Sequence, residues 1–242
     1  MKVALFGYGK MGKEIETILL DRGHSISHKT KSDTMLNELD FSDTDVVIEF
    51  STPNSAKTNI AFCLTHQLPV VVGTTGWYNH LNEIKDICLQ NNGALLYGTN
   101  FSIGVNIFFK VNEYLAQIMN KFEDYQCEVK EIHHTEKLDA PSGTGITIAN
   151  QIIEHLDRLN HWENVSQNEL INEQVLPLVS ERLPKVPGTH TVKYENDIDK
   201  IEFTHTAHNR KGFALGSVLA AEWLIDKTGI YEMKDVFNDI IK

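Results

Sequence analysis

The chain has 242 residues, enough to bury a full core in one large or two modest domains. Its 41% hydrophobic and 23% charged residues are those of an ordinary soluble protein, and a net charge of −11 with no Lys/Arg cluster argues against a nucleic-acid partner, which needs a basic face. Cys63, Cys88 and Cys127 are odd in number and lack metal-ligand spacing, so they read as reduced core residues, and neither disulfide nor metal is expected. Met1-Lys2 runs straight into an apolar strand with no long apolar segment behind it, so neither a signal peptide nor a spanning helix is expected, and the location is expected to be cytoplasmic.

Taken in chain order, residues 3–6 form a short apolar run, and 11–20 repeat apolar residues at helical spacing with Gly23 as a stop. Strand-like Ser25-Ile26-Ser27 follows, then the buried-strand run Val46-Val47-Ile48 and a helix over about 54–66. Val70-Val71-Val72 after Pro69, a helix over 81–89 and the strand Ala94-Leu95-Leu96-Tyr97 complete the pattern. Continuous apolar strands separated by amphipathic helices indicate a parallel sheet covered on both faces. After Asn100 the pattern changes. Residues 108–119 look helical, 125–133 alternate as a half-exposed strand, and 146–156 carry helical periodicity, while 157–177 are polar and give no clear element. Alternating runs at 189–194 and 200–207, joined by Glu195-Asn196-Asp197, read as a hairpin. A smaller antiparallel sheet with helices is the expectation, and the apolar helix over 213–225 is expected to return to the first domain. The fold class is thus α/β: a parallel sheet covered on both faces, then a smaller α+β region.

Gly7-Tyr8-Gly9-Lys10-Met11-Gly12 fits G-x-G-x-x-G in the right context, after the first strand and opening the first helix. The first glycine permits the turn, the second lets a pyrophosphate approach the backbone, and the third lets helix and strand pack. The acidic residue that usually holds a ribose 2′-hydroxyl at the end of the second strand is missing. His28, Lys29, Thr30 and Lys31 stand there instead, which could meet a 2′-phosphate or be solvated loop residues, so NADPH is expected to be used at least as well as NADH. Gly73-Thr74-Thr75-Gly76 and Thr99-Asn100-Phe101-Ser102 each follow a parallel strand, at the edge where open α/β sheets bind ligands.

Chemistry concentrates in Glu131-Ile132-His133-His134-Thr135-Glu136-Lys137-Leu138-Asp139-Ala140-Pro141-Ser142-Gly143-Thr144. Adjacent His133 and His134 on one strand point to opposite sides, which disfavours a two-histidine metal chelate. Ser142 lies where a helix N-cap belongs, directing the Gly143 and Thr144 amides at an anion such as a carboxylate, with Lys137 as the matching charge. A histidine near neutral pKa is the proton donor or acceptor.

These residues resemble the signature E-x-H-H-x-x-K-x-D-A-P-S-G-T of the 4-hydroxy-tetrahydrodipicolinate (dihydrodipicolinate) reductases of bacterial lysine and diaminopimelate synthesis, matched at every specified position. The likeness extends through Gly7-Tyr8-Gly9-Lys10-Met11-Gly12, Glu49-Phe50-Ser51-Thr52-Pro53, Gly73-Thr74-Thr75-Gly76, Asn100-Phe101-Ser102-Ile103-Gly104-Val105-Asn106 and the helix at 213–223, nearly the whole chain. The resemblance implies two domains, a Rossmann-type dinucleotide-binding domain over 1–104 and 209–242 and an inserted α+β substrate and tetramerisation domain over 105–208. It also implies a homotetramer joined through the second-domain sheets, a small dicarboxylate substrate, His133 as acid/base and Lys137 as donor near the reacting ring. It places His134, Ser142, Gly143 and Thr144 on the substrate. It places Gly7 through Gly12, Lys29, Gly73, Thr74, Thr75, Thr99, Asn100, Phe101 and Ser102 on the cofactor. Two departures are local: the Rossmann loop is shorter than in many members, and 180–188 replace a Gly-rich run, leaving Arg182 and Lys185 both as candidates to reach the substrate. Two rivals need different residues. Another NAD(P)-linked reductase of this architecture, such as an amino-acid or semialdehyde dehydrogenase, would need a catalytic cysteine or a different lysine site, and Cys127 lies mid-strand. A non-enzymatic redox-sensing or scaffold protein would have no use for His133 and Lys137.

Overall fold

The apolar run that opens the chain forms strand β1 (Lys2–Phe6), and the glycine loop after it launches α1 (Lys10–Asp21) in the computed structural model, which describes residues 1–166 and 172–240. There follow β2 (Ser25–Thr30), β3 (Val46–Glu49), α2 (Pro53–Thr65), β4 (Val70–Val72), α3 (Leu81–Gln90), β5 (Ala94–Tyr97), α4 (Ile103–Met119), β6 (Gln126–His133) and α5 (Gly143–His155). The chain ends with β7 (His161–Val165), β8 (Val175–Arg182), β9 (Thr189–Glu195), β10 (Lys200–Thr206), α6 (Lys211–Leu224), β11 (Gly229–Glu232) and α7 (Met233–Ile240). Two units result: Met1–Ile103 with Arg210–Lys242, and Gly104–Asn209.

In the first unit a six-stranded sheet has the order β11-β5-β4-β3-β1-β2, every pair parallel. β1, β3, β4 and β5 are apolar on both faces because helices cover both. Val3, Leu5, Val46 and Ile48 pack with Ile15 and Leu19 of α1 and Ala214 and Val218 of α6 on one face. Phe6, Val47, Val70 and Leu95 pack with Ile60 and Leu64 of α2 and Ile84 of α3 on the other. β2 and β3 lie on opposite sides of β1, so the topological switch, where such sheets open a ligand crevice, falls beside the glycine loop. The second strand is longer than the sequence reading had it. β2 continues through His28 and Lys29 to Thr30 because these residues keep registry with Ala4, Leu5 and Phe6.

In the second unit a five-stranded sheet has the order β10-β9-β6-β8-β7. The hairpin β9–β10 is there, but the expected antiparallel sheet is mixed, since β8 pairs parallel to both β6 and β7. The polar stretch at 157–177 gave no local signal for β7 or the start of β8. Only pairing stabilises those residues as strands, and 167–171 lie outside the described residues. Alternation along β6 buries Cys127, Val129, Glu131 and His133 on one face, where Val129 packs with Ile148 and Ile152 of α5. That phase puts a carboxylate and an imidazole among apolar side chains.

Candidate active site

In the first unit the glycine loop is forced by sterics. Gly7 has φ +96°, and a Cβ there would stand 2.1 Å from the Phe50 carbonyl oxygen; one on Gly12 would stand 2.4 Å from the Gly7 carbonyl. A Cβ on Gly9 would meet no protein atom within 4 Å. The loop is therefore closed against the protein at its outer glycines and open at the middle one, which is where a pyrophosphate would need room. Tyr8 and Gly7 amides donate to the Thr30 carbonyl, tying the loop to the end of β2. A cleft of about 840 Å³ runs along this edge, lined by Gly7, Tyr8, Gly9, Thr30, Lys31 and Ser51 among others. These residues fit a dinucleotide.

Lys29 does not offer a bare charge to that cleft. Its ammonium pairs with Glu16 of α1 and lies 4.9 Å over the Tyr8 ring, and the Tyr8 hydroxyl donates to the same Glu16 carboxylate. The Lys29 and Tyr8 hydrogen bonds together hold the Glu16 carboxyl below its usual range. Lys31 lines the cleft and has no ion-pair partner among the described residues.

The two later turns do different jobs. Gly73 carries no side chain because the Phe50 ring occupies the position, a Cβ falling 2.0 Å from Cζ. The Thr74 hydroxyl accepts from the Ser51 amide at 2.8 Å, and the Thr74 carbonyl accepts from the Trp77 indole at 2.8 Å, so Thr74 is a brace between loops, while Thr75 is exposed. Thr99 is exposed, Asn100 accepts from the Ser102 amide at 2.8 Å, and Phe101 is a core residue whose ring meets Phe50 edge-on.

In the second unit the signature loop is organised by Ser142, at the cap position expected of it, and by Glu131 and His190, which had no role in the sequence reading. Ser142 caps α5: its Oγ accepts from the Gly145 amide at 3.0 Å. Its own amide donates to both carboxylate oxygens of Glu131, at 3.0 and 3.1 Å, and its hydroxyl donates to Oε2. Glu131 is fully buried, and its tight fit shows in Gly145, where a Cβ would stand 2.6 Å from Oε2. A Cβ on Gly143 would meet nothing within 4 Å, so the N-terminus of α5 is open at that residue.

His133 ends β6, 7% exposed, with Nδ1 3.8 Å from Glu131 and Gly188 so close to Nε2 that a Cβ there would stand at 3.1 Å. Burial lowers its pKa, Glu131 works against that, and Lys137 and Arg182 reinforce it. His190, directly across the ladder from Glu131, stacks edge-on against His133 with centroids 5.1 Å apart. Burial, then His133, His205 and Lys137, push its pKa down to about 3, so it is neutral near pH 7. Lys137 donates to both oxygens of Asp139 at 2.8 Å. Burial would raise the Asp139 carboxyl, but the Lys137 hydrogen bond and charge hold it below its usual range. The Nδ1 of His134 is buried without a hydrogen-bond partner among the described residues.

Of the two basic candidates beyond the loop, Arg182 is committed to the protein: its three guanidinium nitrogens reach the carbonyls of Lys137, Glu181 and Asp139 and the carboxylate of Glu131. Lys185 is exposed with φ +64°. Glu131, His133 and His190 bring donor atoms within 4.8 Å of one another, a spacing that could suit a metal. Both Glu131 oxygens already accept from Ser142, and a guanidinium lies 3.5 Å away, so the arrangement opposes a cation.

Glu131 had a signal in the sequence, since it shares the buried phase of an alternating strand with His133. His190 had none, because only strand pairing brings β9 beside β6.

Family models described as the N-terminus and C-terminus of dihydrodipicolinate reductase match residues 1–101 and 104–237. The chain belongs to the dihydrodipicolinate reductase family. It is 49% identical over 242 residues to the 4-hydroxy-tetrahydrodipicolinate reductase of Christiangramia forsetii, covering 100% of each chain. It is 33% identical to the enzyme of the same name from Thermosipho africanus, covering 99% of each. A dipicolinate-bound dihydrodipicolinate reductase from Paenisporosarcina sp. TG-14 shares its fold, with a TM-score of 0.74 at 22% identity over 96% of this chain and 97% of that one. Aspartate semialdehyde dehydrogenase II from Vibrio cholerae shares the fold more loosely, at a TM-score of 0.54 and 10% identity over 92% of this chain and 97% of that one. The family resemblance read from the signature loop is thereby borne out, as is the Rossmann-type sheet with a second α+β unit.

Proposed function

We propose that this chain is a 4-hydroxy-tetrahydrodipicolinate reductase, using NAD(P)H to reduce a cyclic imine dicarboxylate to tetrahydrodipicolinate. The observation that carries this is the single loop from His133 to Thr144, where an imidazole, an ammonium and an open helix N-terminus lie together on residues that match the family signature. Bound NAD(P)H supplies the hydride. The first unit holds that cofactor: the Gly7–Gly12 loop on the pyrophosphate, Gly73 to Thr75 and Thr99 to Ser102 along the same strand edge, and Lys31 toward a ribose 2′-phosphate, since Glu16 has already neutralised Lys29. In the second unit Gly143 and Thr144 at the α5 N-terminus take one substrate carboxylate, with His134 touching the substrate. Lys137, exchanging Asp139 for the substrate, stabilises the electron density that develops on the ring. His133 delivers the proton. Burial lowers its pKa in the free protein, and an anionic substrate beside it would restore its affinity for the proton that it donates.

The rival cysteine chemistry finds no thiolate. All three cysteines are buried, and burial drives Cys127, within β6, up to about 12. Among the described residues no helix is long and apolar enough to cross a membrane. A cytoplasmic homotetramer, joined through the second-unit sheets, completes the proposal. The sheet face opposite the helices supports it, carrying half-buried Glu128, Lys130 and Lys193 in cross-strand pairs such as Lys130–Glu181 at 2.8 Å. The test of function is NADPH oxidation with freshly generated 4-hydroxy-tetrahydrodipicolinate, where no absorbance loss removes the reading. Light scattering tests the tetramer.

A further inference from the structure

The loop 134–142 is held by charge. Thr135, Glu136, Leu138, Asp139 and Ala140 are exposed, Leu138 97% so, and none of them anchors the loop in a core. Such a segment gains almost nothing from hydrophobic burial and would fluctuate on that account alone. Its position is set instead from beneath by Glu131 of β6 and Arg182 of β8. The carboxylate takes the Ser142 amide and hydroxyl at the far end of the loop. Arg182, in register opposite His133, takes the Asp139 carbonyl at 2.5 Å and the Lys137 carbonyl at 3.4 Å in its middle. The two side chains meet at 3.5 Å.

A fully buried carboxylate is costly unless donors surround it, and its neighbours on the same strand phase, Cys127 and Val129, show that an apolar residue would suit this core. Capping does not require it either, since Ser142 caps α5 through Gly145 by itself. What a carboxylate at this position uniquely supplies is a fixed distance between the end of β6 and the start of α5, and a negative charge 3.8 Å from His133.

Resting on the functional reading above, we infer that Glu131 and Arg182 form one positioning device that sets Lys137 and the Ser142-Gly143-Thr144 turn for the substrate dicarboxylate, with the Glu131 carboxylate also lying 3.8 Å from His133 Nδ1. Neither residue touches the substrate. Glu131→Gln keeps the size of the side chain but turns an amide N–H toward donors. Arg182→Lys keeps the charge but loses the fork that reaches several carbonyls.

The expected result is a rise of about tenfold or more in KM for the dicarboxylate in each variant, with KM for NADPH unchanged. In Glu131→Gln the limb of the kcat/KM profile assigned to His133 moves to lower pH, because a charge that raised its pKa is gone; Arg182→Lys leaves that limb in place. The double variant is no worse than the poorer single one, as for two parts of one device. A merely structural role would lower the melting temperature without moving the pH limb or splitting the two KM values. A dicarboxylate KM and pH limb within twofold of wild type in Glu131→Gln, or additive losses in the double variant, overturns the inference. Should Glu131→Gln not fold, Arg182→Lys alone decides it, an unchanged dicarboxylate KM refuting it. Calorimetric titration with dipicolinate separates this inference from the functional one. A wild type that binds dipicolinate without turnover, with weaker binding in both variants, supports the device and removes the reductase; unchanged dipicolinate affinity in both variants removes the device whatever the wild type turns over.

Discussion

Two glycines of the nucleotide loop should fail in opposite ways when each is replaced by alanine. In Gly7→Ala the new Cβ would lie 2.1 Å from the Phe50 carbonyl oxygen and 2.7 Å from the Ser51 Cα, both backbone atoms that cannot rotate aside. Relieving that overlap costs about 1–3 kcal/mol, and the φ of +96° is disfavoured for an L side chain by about 1–2 kcal/mol more. A loss of roughly 2–5 kcal/mol corresponds to a fall in Tm of roughly 4–20 °C for a chain of this size. In Gly9→Ala nothing lies within 4 Å of the new atom and φ is −91°, so the cost is that of a poorer helix cap, at most about 1 kcal/mol. The methyl group occupies the space needed by the pyrophosphate, so KM for NADPH should rise at least about tenfold, equivalent to about 1.4 kcal/mol of lost binding, with the dicarboxylate KM unchanged. Differential scanning fluorimetry and steady-state kinetics on both variants read the two effects separately. A Gly9→Ala enzyme with NADPH KM within twofold of wild type, or one that melts as early as Gly7→Ala, would refute the reasoning.

His133→Gln should lower kcat roughly 10²-fold with little change in either KM. A reaction that needs protonated His133 has full kcat/KM below its pKa and loses tenfold per pH unit above it; because burial lowers that pKa, the limb should lie below the ordinary imidazole value of about 6.5, and a limb well above 7 would contradict the assignment. Lys31→Ala should raise the ratio of NADPH to NADH KM at least about threefold, whereas Lys29→Ala, whose charge Glu16 already neutralises, should move it less; the reverse order sinks the choice of Lys31. Glu222 of α6, held by the Arg22 fork at 2.8 Å and by His24, has a carboxyl below its usual range even though burial pushes the other way. Its contribution is present above the unfolded pKa of about 4.3 and is lost as pH falls through the lower folded value, so Glu222→Gln should cost about 1 kcal/mol at pH 7 and progressively less as pH falls below about 4.3 in urea titrations.

The sequence by itself determined the elements whose signal is local. Apolar runs such as Val70-Val71-Val72, the glycine loop, the Ser142 cap and the order of the signature loop are all read from neighbours within a helical turn or a strand, and each stands where that local physics puts it. Tertiary structure decided what depends on partners distant in the chain. β7 forms because β8 offers it a ladder, and the second sheet is mixed because β8 lies beside β6, which no residue pattern expresses. Lys29 is neutralised by a helix residue, Arg182 is consumed by carbonyls of another loop, and His190 joins His133 only through the pairing of β9 with β6. Charge and hydrogen bonding in a buried site are properties of neighbours in space. The sequence therefore put forward the candidate groups for the chemistry, and the fold alone showed which partners hold those groups in place.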